Sequence, residues 1–289
     1  MSTYIPWDSQ SLDEWSQKYA TGKFIDINGR RTHFLEKGSG ETVILIHGFF
    51  YDTYTWHKNI DALASKFKVY APDLWGFGYS TREPLDYDYS LYAEQLLLFM
   101  DALAIGKASI IGHSMGGGTA IFFANHHRDR VNKLVLVGAA GMPNPLSLLG
   151  KITNLPGVGE LIYGMRGNLM RRVALKTNWI HDASMITKEY LDNVTRFHQI
   201  RGSNDVMLKI LRKQFFNTIP EEVRELGGKG IPTLMVWGKH DKAVPLERGI
   251  EMHDLIKESR LEVFDNAGHN PHDERADGFN PMVIDFLQQ

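Results

Sequence analysis

Short apolar runs alternate with longer amphipathic stretches along the first half of this chain, and the two periods name its elements. Leu12 to Tyr19 carries apolar positions at helix spacing, whereas Lys23 to Ile27 and Thr32 to Lys37 read as strands joined by the Asn28-Gly29 turn, an antiparallel hairpin. Val43 to Ile46 is continuously apolar, as a strand buried on both faces should be. A helix (about Thr55 to Lys66), a strand (Lys68 to Ala71), a helix (Leu91 to Leu103), a strand (Ala108 to Ile111), a helix containing Thr119 to Asn125 and a strand (Lys133 to Val137) follow. Strands alternating with helices at this spacing imply an α/β fold with a mostly parallel sheet covered on both faces.

At Gly138-Ala139-Ala140-Gly141 the alternation stops, and no strand pattern returns before Gly230. Leu161, Met165, Leu169 and Val173 recur at helix spacing, as do Val206, Ile210 and Phe215 more loosely, with Pro143, Pro145, Pro156 and Pro220 as punctuation. Ligand sites of open parallel sheets lie at the strand C-termini, where this insertion must emerge. The pattern therefore predicts a helical cap whose apolar faces close over such a site. Sheet periodicity resumes with Thr233 to Trp237, a helix (Leu246 to Lys257), Arg260 to Phe264 and a last helix to Phe286. The organisation expected is a core in two segments, 1–140 and 231–289, around a cap at 141–230.

Composition narrows the function classes. The chain has 289 residues, 43% hydrophobic and 23% charged, with ample length for a buried core. Its formal net charge of -2 gives no electrostatic case for nucleic acid or an anionic membrane. There is no cysteine, which excludes disulfides, thiolate metal sites and thiol nucleophiles. The first residues carry acids where a signal peptide needs an apolar run, and no stretch approaches a transmembrane helix, so a cytoplasmic protein without a membrane partner is expected. The 12 histidines show no ligand spacing, and Gly76 and Gly78 lack the third glycine of a dinucleotide fingerprint. No metal and no cofactor are expected; the partner expected is a small-molecule substrate, on a monomer or homodimer. Arg166, Arg171, Arg172 and Lys176 read as a solvated helix face, with an anionic substrate group held there as the weaker alternative.

Candidate chemistry centres on Gly112-His113-Ser114-Met115-Gly116, between a strand and a helix. Such a turn lifts the Ser114 hydroxyl clear of the backbone, and it is tight enough that side chains at Gly112 and Gly116 would collide. Gly117 then lets the helix approach the sheet. A serine hydroxyl needs a base, and the base needs an orienting acid. Asp241 follows a predicted strand in Trp237-Gly238-Lys239-His240-Asp241, and His269 follows the last strand in Gly268-His269-Asn270-Pro271. His272 is the competing base, but Pro271-His272-Asp273-Glu274 reads as the start of the last helix. His47 is expected to brace the loop it begins, His240 to be an exposed neighbour, and His126-His127 to suit a helix end. The amides of Phe49 and Met115 are the expected donors to a developing oxyanion. Of the aromatics Phe49, Phe50, Tyr51, Tyr54 and Trp56, Phe50 and Tyr51 are expected nearest the site's mouth.

With His47-Gly48-Phe49, Asp73-Leu74-Trp75-Gly76-Phe77-Gly78-Tyr79-Ser80, the serine elbow, and the acid and histidine motifs in this order, the sequence resembles the capped serine α/β-hydrolases. That group includes bacterial carboxylesterases, monoacylglycerol lipases and carbon-carbon bond hydrolases. The resemblance covers nearly all of the chain outside 141–230. It implies the α/β-hydrolase fold, with an eight-stranded, mostly parallel sheet, and a catalytic triad of Ser114, Asp241 and His269. Epoxide hydrolases and haloalkane dehalogenases of similar sequence use aspartate as nucleophile, so Ser114 argues against both. Hydrolases of ring-fission products share the Ser-Met-Gly-Gly run but usually place asparagine where His113 stands, and carry a more glycine-rich loop than Phe49-Phe50. The expectation is therefore a carboxylesterase acting on short to medium acyl esters through an acyl-enzyme. The alternative is carbon-carbon hydrolysis of vinylogous diketones by the same triad. Haloperoxidase-like members share the triad too, and a ligand-sensing protein on this fold is the reading outside enzymology.

Overall fold

The structure, a computed structural model, describes residues 5–145, 148–164, 167–217 and 219–289; Met165 and Arg166 lie outside these. Eight strands form one sheet in the order β1-β2-β4-β3-β5-β6-β7-β8. They are β1 (Lys23–Ile27), β2 (Arg30–Lys37), β3 (Thr42–Ile46), β4 (Lys68–Pro72), β5 (Ala108–His113), β6 (Val131–Val137), β7 (Thr233–Gly238) and β8 (Arg260–Phe264). The β1–β2 and β2–β4 pairings are antiparallel, and every later pairing is parallel. Asn28 and Gly29 turn the hairpin at φ 52 and 77, the left-handed conformations that match strand twist.

Burial explains the central runs. All six residues of β5 are buried, as are Ile44, Leu45, Val135 and Leu136 beside it. Each such aliphatic side chain contributes about 1.5–3 kcal/mol when fully buried, so the middle of the sheet is its most strongly specified part. One apolar layer packs the helices Tyr89–Ala102 and Met115–His126 on one face of the sheet, and another packs the C-terminal helix Ala276–Gln288 on the other.

Two expected helices are broken into shorter ones, and the elbow helix is found where it is expected. The helix expected from Thr55 to Lys66 is a 3-10 turn (Thr53–Trp56) followed by a short helix (Ile60–Ala64). Between them the buried Asn59 amide donates to the His272 carbonyl and to Asn280, and this long-range anchoring overrides local helix propensity. The elbow helix begins at Met115 and runs through Gly116, Gly117 and Gly118 despite their poor propensity. Pro271–Glu274 is a separate short helix, since Arg275 (φ -133, ψ 45) breaks the path into the last one.

Between β6 and β7 the described residues form helices, turns and one isolated parallel bridge, Gln10 to Ile200. The apolar stripe read over Leu161, Leu169 and Val173 does not close on anything. Val158–Gly164 and Asn168–Ala174 are two helices rather than one, and those side chains are 63%, 75% and 50% exposed. Packing here comes instead from Leu175, Ile180, Ile186, Tyr190, Leu191 and Val194, a small core of their own. Val206, Ile210 and Phe215 join the main core. No helix among the described residues is long and apolar enough to cross a membrane.

Candidate active site

Ser114 sits between β5 and the helix Met115–His126 at φ 53 and ψ -118, a conformation that costs a non-glycine residue on the order of 1–3 kcal/mol. The turn persists because its neighbours permit it. A Cβ on Gly112 would run into the Gly116 backbone, and one on Gly116 into the carbonyls of Ile46 and His47. The serine thereby caps a helix N-terminus, whose partial positive charge favours an oxyanion above it.

The acid and base converge on the same sheet edge. Asp241 leaves β7 in a tight turn in which its Oδ1 accepts the amides of Ala243 and Val244 at 2.9 and 2.8 Å. Its Oδ2 accepts from His269 Nδ1 at 2.7 Å, with both side chains buried. With Nδ1 donating to the carboxylate, Nε2 is the ring nitrogen left to act as a base. Ser114 and His269 line one cavity of about 400 Å³. The structure thus brings the three residues singled out in the sequence to a single place.

The loop after β3 crosses closely over the elbow: a Cβ on Gly48 would lie 2.9 Å from Ser114 Cβ. Neither the Phe49 nor the Met115 amide donates a backbone hydrogen bond among the described residues; Phe49 lines the cavity, whereas Met115, next to Ser114 in the chain, is buried and not among its lining residues. Phe50, next in the loop, is held at φ 63. Its carbonyl accepts from Arg171 Nη2 at 2.7 Å, and the guanidinium stacks over Phe50, Tyr51 and Trp179, 4.3 Å from the Trp179 ring centroid. Arg171 is therefore buried, in contrast to the solvated face read from the sequence, because it ties the loop after β3 to the helix Asn168–Ala174. Arg172 and Lys176 are exposed, as that reading has it. Phe49 and Phe50 line the cavity, whereas Tyr51 is buried behind it, Tyr54 lines a separate pocket and Trp56 is core.

The other histidines fall into structural roles. His47 accepts the Leu74 amide at 3.0 Å, bracing two loops. His240 is exposed and stacks on His181. His272 is buried against Trp56, its Nε2 3.1 Å from the Thr55 hydroxyl; burial, reinforced by the neighbouring His269, holds it well below the usual histidine range. His113 is likewise held well below it by burial and by His272 and His269. Its Nε2–H donates to the His269 carbonyl at 3.0 Å, which leaves Nδ1 as a buried acceptor without a partner among the described residues. Among the described residues no group of acids and histidines is arranged to hold a metal ion.

One functional side chain escaped the sequence reading. Glu274 Oε1 accepts the Gly268 amide at 2.8 Å, and Oε2 accepts those of His181 and Asp182 at 2.8 and 3.1 Å. The His269 amide donates to the Trp179 carbonyl at 2.7 Å. These four bonds clasp the loop of the base to the segment 179–182, whose Trp179 walls the cavity. In the sequence Glu274 is an acid in the first turn of the expected last helix, a position with a sufficient local explanation.

The model of the alpha/beta hydrolase fold family matches residues 41–276. The chain belongs to that family. A 2-hydroxy-6-oxo-6-phenylhexa-2,4-dienoate hydrolase of Burkholderia cepacia is 32% identical, over 92% of this chain and 96% of that protein. The solved meta-cleavage product hydrolase of Pseudomonas fluorescens superposes with a TM-score of 0.80 at 29% identity, covering 92% of this chain and 97% of its own. A thermophilic esterase from Thermogutta terrifontis gives a TM-score of 0.78 at 25% identity, over 92% and 98% of the two chains. The carbon-carbon hydrolases among these relatives match the alternative held in the sequence reading better than its first choice of carboxylesterase.

Proposed function

We propose that this family member is a serine hydrolase that cleaves the carbon-carbon bond of a vinylogous diketone of the ring-fission type. Ser114 is the nucleophile, His269 the base, Asp241 its orienting acid, and the Phe49 and Met115 amides the oxyanion donors. The observation that carries the reading is the buried 2.7 Å His269–Asp241 bond opening on the cavity of a serine held at a strained elbow. Ser114 Oγ adds to the ketone carbon as His269 takes its proton. In the diketo tautomer of the dienol, where a CH2 joins that carbon to the enone, the carbon-carbon bond then breaks; its electron pair passes into the enone as a dienolate, which receives the proton from His269. Water hydrolyses the acyl-serine, so one water is consumed and two products leave. Residues 141–230 act as the cap in this scheme, with Trp179, Leu211 and Phe216 walling the cavity.

Ester hydrolysis is the second reading, favoured by His113 and by Phe49-Phe50, which depart from the pattern usual in carbon-carbon hydrolases, and by the likeness to an esterase. The same triad serves both bonds. The experiment offers 2-hydroxy-6-oxo-6-phenylhexa-2,4-dienoate and a 4-nitrophenyl ester of similar size. Loss of the dienol chromophore with release of benzoate, at a higher kcat/KM than the ester, supports the first reading. Ester turnover with the dienoate left intact would select the second, and inertness towards both would reject a hydrolase at this site.

A further inference from the structure

The wall of the catalytic cavity is unevenly charged. Phe49, Phe50, Leu211 and Phe216 make an apolar part of it, and no aspartate or glutamate is among its described lining residues. Besides His269, the single ionisable lining residue among those described is Lys242. Its backbone is fixed by the triad acid: Asp241 Oδ1 accepts the two amides that follow residue 242, so the turn that aims Asp241 at His269 also presents Lys242 beside the cavity. Lys242 makes no ion pair among the described residues, and its side chain is exposed. Asn178 also lines the cavity. A cation beside a cavity that has an aromatic and aliphatic part and no acid among its described lining residues favours a ligand with an apolar body and one negative end.

We infer that Lys242 is a specificity residue that binds the free carboxylate of the substrate, so that this site prefers carbonyl substrates carrying a carboxylate over neutral ones of the same size. This rests on Ser114 and His269 marking the reacting end of the cavity, but not on which bond is broken. A carboxylate at Lys242 fixes the anionic end on the acid-loop side and leaves the apolar body for the phenylalanine end. Lysine supplies a compact charge without a fixed fork, so the anion requirement concerns charge rather than bidentate shape.

The test compares mono-4-nitrophenyl glutarate with 4-nitrophenyl pentanoate, an anionic and a neutral acyl group of similar length. The native enzyme should prefer the anion in kcat/KM by on the order of 10-fold, the scale of one charge-assisted hydrogen bond. The preference should shrink with added salt. Lys242→Met should bring the ratio close to one through a higher KM for the anion, and Lys242→Arg should keep it. Equal or better use of the neutral ester by the native enzyme would overturn the inference, as would a preference that survives Lys242→Met. Neutral ester cleaved by the native enzyme but not by Ser114→Ala upholds the triad whichever way the charge comparison falls. Binding read without turnover separates the two questions further: Ser114→Ala protein titrated calorimetrically should bind 3-phenylpropanoate more tightly than 3-phenylpropanamide. Equal binding of the two would also reject the assignment.

Discussion

His269 and His33 are both buried, and each ring holds an aspartate Oδ2 at 2.7 Å through Nδ1. They differ at the other ring nitrogen. His33 Nε2 ends on the Thr21 carbonyl at 2.5 Å, so both nitrogens must donate and the ring is a cation. Burial alone would lower its pKa, but the charge and hydrogen bond of Asp73 raise it. Burial would likewise raise Asp73, yet the facing imidazolium and the Tyr79 amide pull it down to about 2. That pair is a closed ion pair holding β2 against the loops after β3 and β4, with Asp73 also accepting the Thr53 amide. No carbonyl caps Nε2 of His269 among the described residues, and its ring faces the cavity of Ser114. A histidine–aspartate contact is therefore not itself catalytic machinery. It becomes so when the second nitrogen is left with a lone pair and a nucleophile.

The comparison breaks most visibly at the serine. Ser114→Ala and His269→Ala should each lower kcat on the order of 10⁵ to 10⁶, since triad members act as a unit. Melting curves should show Ser114→Ala folded, at an unchanged or higher Tm, because a hydroxyl placed for chemistry adds little to stability. Next come the two acids. Asp241→Asn should cost on the order of 10⁴ in kcat with the fold intact. Asp73→Asn should instead cost about 3–5 kcal/mol of stability in a denaturant titration, while the folded fraction keeps turning over. The sign with pH follows. A depressed carboxyl contributes stability present above its unfolded value of about 3.9, and this is lost as pH falls through about 2; Asp73→Asn should flatten that acid limb.

A smaller effect belongs to the clasp. Glutamine at 274 must turn its NH2 towards one of the amides that the carboxylate now accepts, so Glu274→Gln should lower kcat on the order of 10-fold or more through a displaced His269. Unchanged steady-state kinetics would reduce Glu274 to a packing residue. The smallest effect is expected at Asp52, whose carboxyl is pushed up to about 7 by burial and by the nearby Asp73 charge. A raised acid weakens the fold as pH rises from its unfolded value of about 3.9 through about 7. Asp52→Asn should therefore raise Tm at pH ~8 and change it little at pH ~4.

Much of the sheet was legible because buried parallel strands leave continuous apolar runs: β3 and β7 differ from the reading by one residue at an end. The residues of the proposed triad were legible for a related reason, since Asp241 and His269 each follow a strand whose end the pattern marks. What failed depends on contacts distant in sequence. Asn59 bonding to 272 and 280 bends a stretch that reads as one helix, and Arg171 is buried only because three aromatic rings and the Phe50 carbonyl meet it there. Glu274 shows the same limit, because three amides from two separate segments give it its role. The exposed Leu161 and Leu169 show that helix periodicity alone does not say which helix it belongs to.

The central claim is that Ser114 is activated by His269 and not by any other histidine of the chain. An alkyl fluorophosphonate tests it directly, because it forms a stable adduct only with an activated hydroxyl. Intact-mass and peptide mass spectrometry should find one adduct, on the peptide containing Ser114. Its rate of formation should collapse in His269→Ala and be retained by folded His33→Gln protein. Labelling at another residue, or labelling of Ser114 at the native rate in His269→Ala, would contradict the account.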